Sequence, residues 1–148
     1  MEFKEQVFIN APIDKVWGII SNIEGSSKNI NAIQDIKVLE NPTDGLVGFK
    51  WTETRIMFGK TATETMWITD AKTNEFYQTR AESHGAIYIS KLNVIEKDGG
   101  TELTMSFLGE AQTFMAKLMS ATLGAIFKNA TKKALMKDLE DIKAVAEK

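Results

Sequence analysis

Cysteine is absent from this chain of 148 residues, so disulfides, thiolate metal sites and cysteine nucleophiles are excluded, and no redox compartment can be read from it. Histidine occurs once, at His84, and no paired metal-ligand spacing is present. GxSxG, HExxH, a Walker loop and a dinucleotide fingerprint are also missing, which leaves the common motif-bearing enzyme classes without support. Metal and cofactor are therefore expected to be none. No apolar run approaches the ~18 residues of a membrane span. The start, Met1-Glu2-Phe3-Lys4-Glu5-Gln6, lacks the basic and apolar regions of a signal peptide, so the expectation is a cytoplasmic protein with no integral membrane association. Charge of one sign is also scarce: a net charge of -2 gives no electrostatic reason for a nucleic-acid partner.

What is present is ordinary for a globule, 43% hydrophobic and 26% charged, in a length suited to one domain over residues 1–148. Order along the chain is more informative. Phe3 to Asn10 alternates as a strand, and Pro12 and Asp14 suit the first turn of a helix whose apolar positions Ile13, Val16, Trp17 and Ile20 follow a helical period. That helix stops near Gly25, and Ser26 to Asn31 reads as a second, shorter one.

From Ile33 the period is two. Strands are expected at Ile33 to Glu40, Val47 to Met57, Thr61 to Thr69, Glu75 to Ser83, Ala86 to Glu96 and Thr101 to Gly109, divided by turns such as Asn41-Pro42-Thr43-Asp44-Gly45 and Lys97-Asp98-Gly99-Gly100. Seven strands result. The links after Ile33 are too short for crossover helices, so these strands should run antiparallel as a meander.

Ala111 to Lys148 contains no proline and reads as one helix of about 35 residues, on the order of 50 Å long. It is long enough to lie across a whole sheet, whose apolar face must be covered. Its first half, from Phe114 to Phe127, is apolar around most of its circumference, where a surface helix shows one stripe. Sheet on one side and a bound apolar molecule or neighbouring element on the other would cover both.

Three stretches carry a resemblance. Val7-Phe8-Ile9-Asn10-Ala11-Pro12-Ile13-Asp14-Lys15-Val16-Trp17, the hairpin Trp51-Thr52-Glu53-Thr54-Arg55-Ile56-Met57-Phe58-Gly59-Lys60, and Gly99-Gly100-Thr101-Glu102-Leu103-Thr104-Met105 before a long terminal helix resemble the START-like (SRPBCC) superfamily, more narrowly a polyketide cyclase/dehydrase-like protein. The resemblance spans essentially the whole chain. It implies an α+β helix-grip fold: a bent seven-stranded antiparallel sheet around a long C-terminal helix, with two short helices between strands 1 and 2. It also implies an apolar tunnel between helix and sheet. Function is not transmitted with the fold, since carriers, hormone binders, cyclases and oxygenase domains share it. The His/Asp/Glu iron ligands of the oxygenase branch are not found here, with only one histidine.

Alternation places Trp51, Glu53, Arg55 and Met57 on one face of their strand, and Glu64 and Met66 on one face of the next. Unpaired charges there would be costly, so Glu53, Arg55 and Glu64 form either an internal ion-pair network or a polar anchor in an apolar pocket. A desolvated carboxylate lacking a full partner would be an acid-base candidate. Glu53, Glu64, His84 and Tyr88 are accordingly the catalytic candidates. The expected ligand-binding set adds Trp51, Arg55, Met57, Met66, Tyr77, Ser90, Met105, Phe107, Met115, Met119 and Leu123. Aromatics would stack on a flat ligand, and methionines adapt to varied apolar shapes.

The leading expectation is binding or carriage of a hydrophobic small molecule, lipid-like or aromatic and polyketide-like. The alternatives are a metal-free cyclase or dehydratase (a lyase or isomerase) using the cavity Glu, His and Tyr groups, and a non-catalytic protein-interaction module. The outward Trp67 and Ile56 are compatible with a homodimer.

Overall fold

The computed structural model describes residues 2–57, 59–83 and 85–148, apart from the side chains of residues 57, 111, 114–116 and 118–127. Strand β1 (Glu2–Ile9) keeps the expected alternation, with Phe3 and Ile9 buried. It leads into α1 (Ile13–Ser21), which buries Val16, Trp17 and Ile20 along one stripe. Pro12 lies one position earlier than expected. Its ψ of 152° is extended, so it caps the helix rather than opening it, and its carbonyl accepts from the N–H groups of Lys15 and Val16. A single 3₁₀ turn at Ile23–Gly25 and the one-turn α2 (Ser26–Asn29) complete the helical insert.

The remaining strands are β2 (Ile33–Glu40), β3 (Lys50–Met57), β4 (Lys60–Lys72), β5 (Phe76–Ser83), β6 (Ala86–Lys97) and β7 (Gly100–Ala111). They join β1 in one seven-stranded sheet of order β1-β7-β6-β5-β4-β3-β2, with every pairing antiparallel. This is the meander that the short links demand. Two register shifts in β2 and one in β4 supply the local bends that curve such a sheet.

Among the boundaries that differ from the sequence expectation are the starts of β3 and of the long helix. β3 begins at Lys50, not Val47, because Gly48 takes a φ of 95° that breaks the extended run. The helix begins at Phe114, not Ala111, because Ala111 still pairs with Ala86 at the end of β7.

Helix α3 (Phe114–Ala146) lies against the sheet, and its second half is held at many points. Leu135, Leu139, Ile142 and Ala146 recur at helical spacing and are buried with Ile9, Val16 and Leu103 in the core. Polar contacts reinforce that anchorage. Lys143 Nζ donates to the Phe8 carbonyl at 2.7 Å, the Asn10 N–H to Glu147 at 2.7 Å, and the Asn31 N–H to Asp141 at 3.0 Å. Among the described residues no helix is long and apolar enough to cross a membrane.

Candidate functional site

Pairing register places the inward side chains in rows that cross the sheet. Trp51 faces Met66, Met66 faces Ala81, Ala81 faces Tyr88 and Tyr88 faces Gly109. One pair along β3 and β4, Glu53 stands directly opposite Glu64. The expected sharing of one face by Glu53, Arg55, Glu64, Trp51 and Met66 is thus present, and the two carboxylates occupy unlike surroundings.

Glu53 belongs to a closed polar knot. It is 7% exposed; its Oε1 accepts from Trp51 Nε1 at 3.3 Å and its Oε2 from Arg55 Nε at 3.0 Å. Arg55 reaches on through Nη1 to Asp138 Oδ2 at 3.0 Å, tying β3 to α3. Burial alone would lower the Arg55 pKa, but Asp138 and Glu53 outweigh it and the guanidinium is held above its ordinary value. Asp138 is 3% exposed, and burial pushes its carboxyl upward despite Arg55, with Glu53 and Asp141 adding to the rise. One cation is shared by two buried carboxylates, so neither is fully compensated.

Alternation in the sequence offers Arg55 only Glu53 or Glu64 as a partner and does not point to Asp138. A signal was available. Asp138 sits on the stripe that buries Leu135, Leu139 and Ile142, and an acidic residue on a buried stripe requires a cation.

Two aromatic candidates lie in the core beside this knot. Trp51 is 4% exposed and packs on Phe49, and Tyr77 meets Trp17 edge-on at 6.2 Å. Burial drives the Tyr77 hydroxyl well above its ordinary value, and the Glu53 charge adds to this.

Glu64 lies in a different setting. It is half-buried, and among the described residues no hydrogen-bond or ion-pair partner is found for it. Its neighbour across the face is Tyr88, whose hydroxyl is raised by burial and then by the Glu64 charge. Tyr88 stacks on Phe107, with ring centroids 5.7 Å apart and planes 24° apart, and Phe107 meets Phe3 at 6.3 Å. Gly109 seats this ring: a Cβ there would meet it at 3.4 Å. Met66, Ser90, Leu92 and Met105 complete a half-buried wall on the same inward face.

Burial changes along this face in a consistent way. On β6 it falls from Val94, 3% exposed, to half-buried Leu92, Ser90 and Tyr88; on β7 it falls from Leu103, 0% exposed, to half-buried Met105 and Phe107. On β4 it falls from Ile68 to half-buried Met66 and Glu64. The less buried end is the one where α3 starts, next to the Gln112 N–H bond to the Gly85 carbonyl. His84 and the side chains of Met57, Met115, Met119 and Leu123 lie outside the described residues.

A hollow of about 210 Å³ borders the polar knot, lined by Arg55 and Asp138 together with Ala32, Ile56, Ala130, Ala134 and Lys137. Ile56 faces outward and is 48% exposed, while Trp67 is half-buried with the Lys50 ammonium 5.9 Å from its ring. Among the described residues no group of three or more acidic or histidine side chains is placed to hold a metal ion.

The family described as polyketide cyclase / dehydrase and lipid transport matches residues 1–147. Among curated proteins none matches this chain by sequence. Similar solved structures include a protein of Thermus thermophilus with a TM-score of 0.81 and 12% identity, covering 97% of this chain and 95% of that one. The Zhui aromatase/cyclase of a Streptomyces species has a TM-score of 0.76 and 15% identity, with 99% and 93% covered. A START superfamily protein of Mycobacterium smegmatis has a TM-score of 0.70 and 14% identity, with 95% and 98% covered. At these identities the likeness is one of fold, the helix-grip fold expected from the sequence.

Proposed function

The chain belongs to the polyketide cyclase / dehydrase and lipid transport family, and from that membership together with its half-open inner wall we propose that it binds a hydrophobic small molecule between the sheet and α3. The carrying observation is the loss of burial along β4, β6 and β7 toward the start of α3. Leu92, Met105, Phe107 and Met66 point away from the outer surface, yet they retain solvent contact that a filled core would remove. An apolar ligand laid on them would bury that area, at about 25 cal/mol per Å². Trp51 and Tyr77 form the closed floor beside the site, and Glu64, Tyr88 and Ser90 supply its polar points.

Titration with the uncharged dye N-phenyl-1-naphthylamine tests the reading. Wild-type protein should enhance its fluorescence with saturable binding, and Ser90→Trp, which places an indole on the wall, should weaken uptake by tenfold or more. Absence of saturable uptake by the wild-type protein would refute it.

A second reading, a cyclase or dehydratase, is favoured by the proximity of Glu64 and Tyr88. A hydroxyl raised by burial stays protonated and donates to a ligand carbonyl, while the carboxylate beside it accepts a proton. The likeness to the Zhui aromatase/cyclase is consistent with it.

A further inference from the structure

The charges on the inner wall bear on the kind of hydrophobic molecule it accepts. Glu53 and Asp138 share Arg55, so that knot carries one formal negative charge in excess. Glu64 stands opposite Glu53 in the β3–β4 ladder, where like charges are unfavourable, and no described cation forms an ion pair with it. The inward series of β1 adds another carboxylate, half-buried Glu5, across from Met105. Described basic groups do not redress this balance. Lys60, which shares the inward parity of Glu64 and Met66 on β4, is exposed and screened by solvent, as are Lys117 and Lys128 on α3, and Arg55 is engaged on both sides. The neutral surfaces lean the same way. Tyr88 and Phe107 present stacked rings to the region that Glu64 borders, and the faces of such rings attract cations.

We infer that the preferred ligand is a hydrophobic amine or other organic cation, its charged end held by Glu64 and the Tyr88–Phe107 rings, rather than a fatty acid or other anionic amphiphile. This rests on the binding reading above and specifies the ligand class of the same wall. An anionic head group would become one more uncompensated negative charge beside Glu64. An ammonium supplies the partner that Glu64 lacks among the described residues, and it lowers the repulsion between Glu64 and Glu53.

Displacement of N-phenyl-1-naphthylamine by dodecylamine, dodecanol and dodecanoate at pH 7.5, each below its aggregation concentration, tests the inference. The amine should displace dye at a concentration at least tenfold lower than the carboxylate, with the alcohol between them. In Glu64→Gln the amine-to-carboxylate ratio should fall at least fivefold, and in Tyr88→Leu it should also fall. The wild-type comparison needs no variant to fold. Carboxylate displacing as well as or better than amine, with dye uptake intact, overturns this inference and leaves the binding reading standing. A ratio unchanged in Glu64→Gln overturns the assignment to this wall. Lack of dye uptake by the wild-type protein overturns both readings together.

Discussion

Replacing Arg55 by methionine removes the only cation from a knot whose three side chains are 18% (Arg55), 9% (Glu53) and 5% (Asp138) exposed. Two carboxylates are then left desolvated with no counter-charge. Breaking a buried pair by deleting one partner costs about 3–5 kcal/mol. For a chain of this size each kcal/mol corresponds to roughly 2–4 °C, so the melting temperature should fall by roughly 6–20 °C. The pH dependence is specific to this mechanism. Asp138 has a folded pKa raised by burial, so the native state holds its proton more tightly than the unfolded chain does. Stability from that group is complete below the unfolded value of about 3.9 and is lost as pH climbs through the raised value. Arg55 works against this rise. Without it the loss is steeper, so the deficit of Arg55→Met should be small near pH 4 and largest near pH 7.5. Urea unfolding followed by circular dichroism at both pH values reads this directly. The combined variant Glu53→Gln, Arg55→Met, Asp138→Leu, which keeps an acceptor for Trp51, should recover most of that loss. A single-variant deficit below about 1 kcal/mol at pH 7.5, or one that does not shrink at pH 4, would refute the reasoning.

Leu139 is 0% exposed in the core, and Leu139→Ala should cost about 2–5 kcal/mol in the same urea assay; a loss under about 1 kcal/mol would mean that α3 is not anchored there. Two glycines should respond in opposite directions. Gly18 is exposed in α1 with nothing within 4 Å of an added Cβ, so Gly18→Ala should gain roughly 0.5–1 kcal/mol. At Gly100 a Cβ would lie 2.5 Å from the Ile9 carbonyl oxygen and 2.6 Å from the Phe8 ring, so Gly100→Ala should lose roughly 1–3 kcal/mol. Thermal melts giving both changes the same sign would contradict the packing at the start of β7.

The fold was legible because local signals agreed with one another. Alternation alone bounds β2 at Ile33–Glu40, and Lys97-Asp98-Gly99-Gly100 announces a turn in which Asp98 and Gly99 take φ values of 49° and 79°. Legibility failed where one residue shifts the phase. The bulge between Ile68 and Asp70 interrupts the period of two, and the strand expected to end at Thr69 continues to Lys72. The inner face of β3 and β4 was readable by the same parity, including Glu53 opposite Glu64. The ionic partner of that face was not, because Asp138 is 83 residues from Arg55 and periodicity says nothing about which strand a helix position will meet.

The division of labour between the two facing carboxylates follows from where α3 is pinned. Its second half is tied down by Leu139 and Ile142 in the core, by Asp141 and Glu147 to backbone N–H groups, and by Asp138 to Arg55. Glu53 lies within reach of that anchored half, so its oxygens are taken by Arg55 and Trp51 and its loss should register chiefly in a melt. Glu64, one strand across, has no such claim on it among the described residues and borders the Tyr88 and Phe107 rings. If one wall both holds the helix and receives a ligand, the two tasks need different residues, since a carboxylate saturated by a guanidinium has little left to offer a ligand. Glu53→Gln and Glu64→Gln should therefore separate in paired measurements, the first lowering stability more than ligand displacement and the second doing the reverse.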